Sequence, residues 1–373
     1  MAILNVWRSA PRWVESPPSE PGSIDPLGYR IESDRIAEKL LPGVTVNTRR
    51  ARYLSFLCWA SDRFGLDPDE TDRWEVALSV GEWLRHGSSR VCSYRGIDRL
   101  SELTPRPGDP VKPRLLQQSA RVLYSGLLSS AGFVDQSGAL TDLGGKLAVE
   151  FGKAIGSKKR PKRVRGCAGL PCVSDLPNRE CSLIAEGLFS ETADALVRAR
   201  TFKAIRRRLW RDARGDYAGS ILRCHLGRID PSNEVAALLR NAAVLELRAL
   251  PLTRLFLYLY EHDGAILGDV PASARFRCYQ VGAEPPGLLA DVGAHLRRAA
   301  KMDRSEHIPL GKARLLDHLQ FRHRQAKPDS PWVTENWQRL RLGLQPQNPP
   351  GVHGYRLDAF ASLLQDIRDS GVL

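Results

Sequence analysis

The sequence lacks the short motifs by which many enzymes that act on nucleic acids or nucleotides are recognised. It contains no Asp-x-Lys or Glu-x-Lys, the usual ending of the restriction-like nuclease motif, and no His-x-Lys of the phospholipase D type. Every Gly-Lys pair is followed by Leu or Ala, so the phosphate-binding loop of NTPases is absent, and so is the His-Glu-x-x-His zinc motif. The sequence therefore identifies no catalytic residue through these motifs, and it leaves open whether the protein is an enzyme.

Long apolar runs are also missing. The N-terminal residues MAILNVWRSAPRW do not contain the apolar core of a secretory signal, and aliphatic stretches such as Leu255 to Tyr260 are too short to span a bilayer. The seven cysteines are spread through 373 residues, unlike the dense disulfide framework of a small secreted domain. We therefore predict a cytoplasmic protein with free thiols and no membrane partner.

Lysine is scarce, whereas positive charge is abundant. The 55 basic residues outnumber the 42 acidic ones, which gives a net charge of +13, and only 11 of the basic residues are lysines. The planar guanidinium of arginine suits phosphate groups, and an excess of positive charge favours polyanionic partners. The composition predicts a nucleic-acid partner, with DNA favoured, and nothing in the sequence indicates a cofactor.

Composition divides the sequence into five segments. Five prolines stand among serines and glycine before residue 27, so this part cannot hold a helix. Residues 153–166 (KAIGSKKRPKRVRG) contain seven basic residues and no acidic one, which is typical of an exposed, flexible linker. The predicted segments are an extended lead-in (1–28), an N-terminal helical region (29–95), a central module (96–152), the basic linker (153–166) and a C-terminal helical domain (167–373).

Amphipathic helices are predicted on both sides of the central module. In the first, Thr48 is the expected cap, and the residues at helical spacing are Tyr53, Phe56, Leu57 and Ala60. The second runs from Thr71 to Arg85; it is predicted to turn Trp74, Ala77, Leu78 and Leu84 to the core and Asp72, Glu75 and Glu82 to solvent. Beyond residue 167 the pattern predicts helices at 191–213, 233–249, 252–262, 286–302, 308–326, 333–342 and 355–369.

The stretch 112–152 has the order helix, short strand, turn, short strand, helix. The first helix is predicted to end near Gly132 and to bury Leu115, Leu116, Val122, Leu123, Leu127 and Leu128. The extended pairs Phe133-Val134 and Ala139-Leu140 flank a turn at 135–138. Thr141 then caps a second helix, whose predicted core residues are Leu143, Leu147, Ala148 and Phe151.

The run LL…AGFVD…GALTDLGGKLA in this stretch resembles the second half of a winged-helix domain, with a recognition helix, a wing and a closing helix. The resemblance implies a winged-helix DNA-binding module at about residues 96–152, although some winged helices bind protein instead. The predicted fold class is mainly α: a multi-domain helical protein that contains a winged helix-turn-helix with a small β-wing.

A second resemblance concerns the N-terminal region. Residues 42–56, with PGVT followed by RRARYLSF, are similar to the opening of uncharacterised bacterial proteins from phage-defence and mobile-element gene neighbourhoods. This resemblance implies a subunit or sensor of such a system. It carries no active site over to this chain.

Candidate contact residues for nucleic acid fall into three groups. The polar positions of the predicted recognition helix are Lys112, Arg114, Gln117, Gln118 and Arg121, which are residue types that pair with base edges or phosphates. The basic linker contributes the phosphate-binding candidates Lys158, Lys159, Arg160, Lys162, Arg163 and Arg165. The helix at 191–213 adds Arg206 and Arg207, opposite an apolar face predicted at Leu196, Phe202, Ile205 and Leu209.

The cysteines leave a zinc site open as an alternative. Cys167, Cys172 and Cys181 are followed by Cys224-His225, and four soft ligands can hold zinc. The gap between Cys167 and Cys172 is at the edge of the usual spacing, and no second close cysteine pair follows. Small buried or surface thiols are therefore favoured, and no metal is predicted.

The sequence thus predicts a nucleic-acid-binding protein, with duplex DNA as the favoured ligand. The first alternative is a DNA-acting enzyme, a nuclease or glycosylase, in which carboxylates would work with His262; the candidates are Asp263, Asp269 and Glu261. The second alternative is a protein-interaction subunit that uses the winged helix for a partner chain. An apolar instead of a basic recognition face would favour this second alternative.

Overall fold

The structure is a computed structural model. It describes residues 12–15, 27–65, 67–87, 106–111, 119–156, 158–173, 175–209, 234–261, 321–322, 325, 338–341, 356–368 and 371–372. These residues are mainly helical, as predicted. Within them, no helix combines the length and the apolar composition that crossing a membrane requires.

The described residues form nine α-helices, two short strands and one 3₁₀ helix. In chain order they are β1 (Arg12–Glu15), α1 (Tyr29–Leu40), α2 (Arg52–Phe64), α3 (Pro68–His86), α4 (Ala120–Ser130), α5 (Asp142–Ile155), a 3₁₀ helix (Val164–Cys167), α6 (Asn178–Phe189), α7 (Ala193–Leu209), α8 (Glu234–Glu261), β2 (Gln338–Arg341) and α9 (Leu357–Arg368). Asp67 caps α3, because its side chain accepts from the Glu70 N–H at 2.8 Å, and Pro68 occupies the first helical position.

The chain folds into two compact units. Unit 1 comprises residues 1–36 and 222–355, and unit 2 comprises residues 37–221 and 356–373. The boundaries predicted after residues 95, 152 and 166 all lie inside unit 2. The predicted N-terminal helical region, central module and basic linker therefore fall largely in one compact unit.

Unit 1 contains a pair of short strands and a long helix. Strand β1 pairs with β2 in parallel, with Arg12 opposite Gln338. The prediction of a helix at 333–342 is therefore wrong for residues 338–341, which form a strand. Helix α8 continues through Pro251, where the sequence predicts a break between two helices. The helix predicted at 286–302 lies outside the described residues.

Helices α2 and α5 form the centre of unit 2. The ring centroids of Phe56 and Phe151 are 5.9 Å apart, and those of Trp59 and Trp74 are 5.0 Å apart. The predicted core residues of both helices are buried: Tyr53, Phe56, Leu57, Ala60, Leu143, Leu147, Ala148 and Phe151. Helical periodicity therefore identifies these two apolar faces, and burial of such faces is the main force that holds helices together.

Helix α3 carries buried carboxylates at positions that the sequence assigns to solvent. Glu75 and Glu82 are 0% and 1% exposed, so this prediction is wrong for both residues. Glu75 accepts hydrogen bonds from the Tyr53 hydroxyl and the Ala120 N–H, each at 2.9 Å. The Val173 N–H donates to Glu82 at 3.4 Å. Helix α3 is covered on more than one side, and its buried carboxylates are tolerated because hydrogen-bond donors face them.

Helix α9 joins unit 2 from the far end of the sequence. Its Phe360 ring meets Phe189 of α6 edge to face, with centroids 6.3 Å apart. Arg356, which precedes α9, has a positive φ of 61° and forms an ion pair with Glu38. Seven residues of α9 are buried, so the helix is part of the core of this unit.

The start of α2 is capped by a residue of α9. The Asp366 carboxylate accepts hydrogen bonds from the Ala51 N–H and the Arg50 guanidinium, both at 2.9 Å. Thr48, the predicted cap, instead uses its hydroxyl within its own turn, where it accepts from the Thr45 N–H at 2.8 Å. The prediction for Thr48 is wrong because the partner of α2 comes from a distant segment.

Candidate nucleic-acid interface

Helices α4 and α5, with the turn between them, occupy the place of the predicted recognition helix, wing and closing helix. Helix α4 begins at Ala120 behind its cap Ser119, and Thr141 caps α5 by accepting from the Gly144 N–H at 3.2 Å. Within the turn, residues 134 and 140 form one isolated antiparallel bridge. The described residues therefore hold a bridged turn here rather than a pair of strands, and the winged helix stays a prediction.

The tip of this turn is acidic. One oxygen of the Asp135 carboxylate accepts from the Ser137 N–H at 2.8 Å, the Ser137 hydroxyl at 2.6 Å and the Ala139 N–H at 3.0 Å. The hydrogen bond from the Ser137 hydroxyl holds the pKa of Asp135 below its ordinary value. Since the turn has no basic residue between 134 and 140, it brings no positive charge to a phosphate.

The described part of the predicted recognition helix also carries little positive charge. Arg121 is the only basic residue of α4; it is half-buried, and its Nε has no hydrogen-bond partner among the described residues. Val122, predicted to face the core, is 58% exposed, so that prediction is wrong. The buried face is formed by Ala120, Tyr124, Leu127 and Leu128, which leaves position 122 on the opposite side. The candidates outside the described residues are Lys112, Arg114, Gln117 and Gln118.

The basic stretch predicted as a flexible linker is hydrogen bonded along its backbone. Residues 158–165, called the docked basic segment below, run beside residues 107–111. Three backbone hydrogen bonds join the two stretches: Val111 N–H to Lys162 O at 3.1 Å, Val164 N–H to Asp109 O at 2.9 Å and Arg165 N–H to Pro107 O at 2.9 Å. Residues 153–155 of the predicted linker therefore belong to α5, and the docked basic segment is attached on one side to residues 107–111.

The docked basic segment continues into the 3₁₀ helix, which lies on α3. Val164 and Cys167 are 1% and 0% exposed. Gly81 of α3 lies directly against this stretch, since a Cβ at this position would come within 2.4 Å of the Cys167 carbonyl oxygen. Only glycine permits so close an approach of the two backbones. The segment is therefore held by the core of unit 2.

The six cations of the docked basic segment divide into two sets. Three are engaged within the unit: Lys158 with the Gly169 carbonyl, Arg163 with the Gly108 carbonyl at 2.8 Å and Arg160 with Glu70 at 3.2 Å. The other three, called the open cations below, are exposed and form no ion pair with any residue that the structure describes: Lys159, Lys162 and Arg165. The open cations are therefore free to meet an external anion.

Arg106 is an exposed cation that the sequence reasoning missed. It opens the stretch 106–111, and its N–H donates to the Asp109 carboxylate at 2.8 Å. The next residue, Pro107, accepts the backbone hydrogen bond from Arg165, so Arg106 adjoins a residue that is bonded to the docked basic segment. The signal in the sequence is the run PRPGDP, whose prolines and glycine favour a turn around a basic residue.

Helix α7 uses its arginines in two ways. Arg206 is exposed, as a phosphate-binding residue must be, and the side chain of Arg207 lies outside the described residues. Leu196, predicted to face the core, is 50% exposed, so that prediction is wrong. The buried face instead includes Ala195, Arg198, Thr201 and Ile205, and thus a fully buried arginine.

Arg198 closes the ends of two helices. Its guanidinium donates to carbonyl oxygens of α4 and α6 and of the loop before α2: Ser130 at 3.0 Å, Leu188 at 3.0 Å, Gly187 at 3.4 Å and Pro42 at 2.8 Å. The last carbonyls of a helix have no partner inside it, and a positive charge there is favourable. Burial lowers the pKa of Arg198 to about 10, so it stays protonated at neutral pH.

A second buried arginine faces a carboxylate. The guanidinium of Arg52 lies 3.1 Å from Glu180, donates to the Cys172 carbonyl at 2.7 Å and stands 5.5 Å from the ring centre of Phe151. Burial raises the pKa of Glu180 above its ordinary value, and the charge of Arg52 opposes this rise. Both side chains are at most 1% exposed, so neither charge is available to an external partner.

The cysteines of unit 2 that the structure describes are buried free thiols: Cys58, Cys167, Cys172 and Cys181. Cys92 lies outside the described residues. Burial raises the pKa of Cys172 to about 11 and that of Cys167 to about 12, so both thiols are protonated at neutral pH. Among the residues that the structure describes, no group of three or more His, Cys, Asp or Glu side chains is placed to hold a metal ion. Other candidates for metal or catalysis lie outside the described residues: Cys224, His225, His262, Asp263, Asp269 and the side chain of Glu261.

Comparisons of the chain with protein-family models, with curated proteins and with solved structures find no match.

Proposed function

We propose that the chain is a nucleic-acid-binding protein and that the docked basic segment contacts the phosphate backbone. The observation that carries the proposal is the state of the open cations: Lys159, Lys162 and Arg165 are exposed, without an ion pair in the described part of the chain, on a backbone hydrogen bonded to residues 107–111. A duplex DNA ligand, a cytoplasmic location and a role in bacterial defence or mobile elements stay predictions within this proposal.

A backbone that is fixed before binding favours association. Ordering a flexible chain costs about 1–2 kcal/mol of conformational entropy per residue, and the docked basic segment meets this cost when the protein folds. Lys and Arg side chains that neutralise phosphates also release the condensed counterions of DNA. We therefore expect binding that depends strongly on salt.

Replacing the three open cations tests the proposal. In the triple variant Lys159→Gln, Lys162→Gln and Arg165→Gln, we expect weaker binding to a labelled DNA duplex in a fluorescence anisotropy assay. The slope of log K against log salt concentration should become shallower by about 2.7, because each lost phosphate contact removes about 0.9. Single-stranded DNA and RNA probes in the same assay show which nucleic acid is preferred.

A matched triple variant provides the control. Lys39, Arg63 and Arg179 are exposed and lie outside the docked basic segment, so replacing them with Gln removes the same three charges elsewhere. If both triple variants show the same salt slope, the proposal is contradicted, since only the net charge of the protein would then matter. Cleavage of the probe when Mg²⁺ is added would favour the enzyme alternative.

The exposed face of α4 favours a protein-interaction subunit as the second candidate function. Val122 is 58% exposed, and Ser125, Gly126 and Ser129 share the exposed side of this helix. These four positions carry no positive charge that could neutralise a phosphate, so this face suits a protein partner better than a phosphate backbone. If α4 faces DNA, Val122→Glu weakens DNA binding by charge repulsion, whereas Leu196→Glu, at an exposed aliphatic residue of α7, does not. Unchanged DNA affinity in Val122→Glu would favour the protein-binding function for α4.

A further inference from the structure

The start of α4 is held by a carboxylate from another helix. Glu75 of α3, which is fully buried, accepts a hydrogen bond from the Ala120 N–H at 2.9 Å. Ala120 is the first residue of α4, so its N–H has no partner within the helix. Glu75 also accepts from the hydroxyl of Tyr53 in α2 at 2.9 Å. The first turn of α4 is thus tied to both α2 and α3.

A second connection reaches α4 one turn later and begins in α9. The Tyr124 hydroxyl accepts from the Arg50 N–H at 3.0 Å, and the Tyr124 ring lies 5.0 Å from that of Tyr53. The Arg50 guanidinium and the Ala51 N–H both donate to the Asp366 carboxylate at 2.9 Å. The side chain of Asp366 is only 7% exposed. A short path of partly buried hydrogen bonds therefore runs from α9 through residues 50–51 to α4.

We propose that α9 is a latch for α4, in which Asp366 fixes residues 50–51 and these residues fix α4 through the Tyr124 hydroxyl. Asp366 is accordingly a positioning residue, because it acts on α4 through Arg50 and Ala51. Hydrogen bonds to an ionised acceptor are stronger than neutral ones, and a buried donor that loses its acceptor bears the full cost of desolvation. The order of α4 therefore depends on whether α9 is docked.

The latch concerns the placement of α4 and does not rest on nucleic-acid binding. Its consequence for function is nevertheless direct. If α4 contacts a partner, either nucleic acid or protein, that partner meets a helix whose order depends on the docking of α9. Undocking of α9 would then loosen α4 without altering any residue of the docked basic segment.

Hydrogen–deuterium exchange on the full chain tests the latch. In Asp366→Asn, we expect the backbone amides of α4 to exchange at least about ten times faster than in the parent protein, because a charge-assisted hydrogen bond is lost. Helix α5 serves as the internal reference and should change less. Ser362→Ala is the matched control, since Ser362 lies on the same helix and its hydroxyl donates to Asp358 O of that helix.

A second variant keeps the test decisive if Asp366→Asn unfolds the chain. Tyr124→Phe removes only the hydroxyl that accepts from Arg50, and it should accelerate exchange in α4 while α9 keeps its protection. If both residues act along one path, the double variant exchanges in α4 no faster than the faster single variant.

Three results would overturn the latch. The first is unchanged exchange of α4 in Tyr124→Phe. The second is acceleration of α4 in Asp366→Asn that only equals the acceleration of α5. The third is full additivity of the two substitutions, which would mean that Asp366 and Tyr124 act on α4 independently. Weaker DNA binding is not among the criteria, so the latch and the proposed function can fail separately.

Discussion

Arg52 and Arg198 are completely buried in unit 2, whereas the open cations Lys159, Lys162 and Arg165 are exposed on the same unit. The buried arginines meet carbonyl oxygens and, for Arg52, the carboxylate of Glu180. The open cations meet no ionised partner in the described part of the chain. Positive charge in the described part of this unit therefore occurs in two settings: hydrogen bonded in the interior, and exposed without an ionised partner at the surface.

This difference changes what the net charge of +13 means. A count of basic residues treats all arginines as equal, yet a buried arginine contributes to the free energy of unfolding and not to the capture of an anion. Exposed cations behave in the opposite way, because solvent and salt screen them. We test this comparison by replacing buried arginines and exposed cations in separate variants and measuring the free energy of unfolding of each variant.

The largest expected effect is at Arg198. In Arg198→Met, the Leu188 carbonyl loses the one donor that the described residues give it, and the carbonyls of Pro42 and Ser130 keep only a hydroxyl donor each, from Ser130 and Thr192. A buried carbonyl without a partner is costly. We expect the free energy of unfolding to fall by an amount on the order of 5 kcal/mol. Urea denaturation followed by circular dichroism measures it. Arg200→Met, at an exposed position of the same helix, should change it little, and equal losses in the two variants would refute this assignment.

The next effect is at Arg52, and it depends on pH. Arg52→Met leaves the Glu180 carboxylate buried without its cation, which lowers the free energy of unfolding by about 3 kcal/mol near neutral pH. Burial already raises the pKa of Glu180 above the ordinary value of 4.5, and removing Arg52 raises it further. A raised pKa in the folded state means that stability is present at low pH and is lost as the pH rises through that pKa.

The loss caused by Arg52→Met should therefore be smaller near pH 5 than near neutral pH. Urea denaturation at several pH values measures the difference. Adding Glu180→Gln removes the titrating group, and the double variant should show a flatter pH dependence. A loss of equal size at all pH values would mean that Arg52 stabilises the fold through its contacts with the Cys172 carbonyl and the Phe151 ring rather than through Glu180.

The interior could be predicted from the sequence only where one face of a helix is buried. In α5, Leu143, Leu147 and Phe151 recur at helical spacing and are buried, because a single apolar face lies against α2. In α3 the same reasoning assigns Glu75 to solvent. Its partners, Tyr53 and Ala120, lie 22 and 45 residues away in the sequence, and no local pattern reveals them.

The candidate interface was predictable in composition and not in structure. The basic residues at 158–165 are identified by their charge, and several of them are exposed as the composition predicts. Their attachment to residues 107–111 depends on backbone hydrogen bonds, which leave no mark on residue type. The cap of α2 is a similar case, since Asp366 and Ala51 are 315 residues apart.

The smallest expected effect on stability is at the surface. Replacing the three open cations with Gln should change the free energy of unfolding by no more than about 0.5 kcal/mol, because exposed side chains without an ion pair contribute little to folding. The docking of the segment depends on its backbone and on buried Val164, both of which the variant keeps.

Arg160→Gln, which removes the ion pair with Glu70, should lower the free energy of unfolding by at most about 1 kcal/mol.

Measuring stability and DNA affinity on the same triple variant decides between two explanations of any weaker binding. If the free energy of unfolding is unchanged while the salt slope becomes shallower, the open cations act at the contact itself, as the comparison with Arg52 and Arg198 requires. If unfolding becomes easier by several kcal/mol, the cations hold the docked basic segment in place. In that case the buried arginines and the open cations would both stabilise the fold, and the distinction drawn between them would fail.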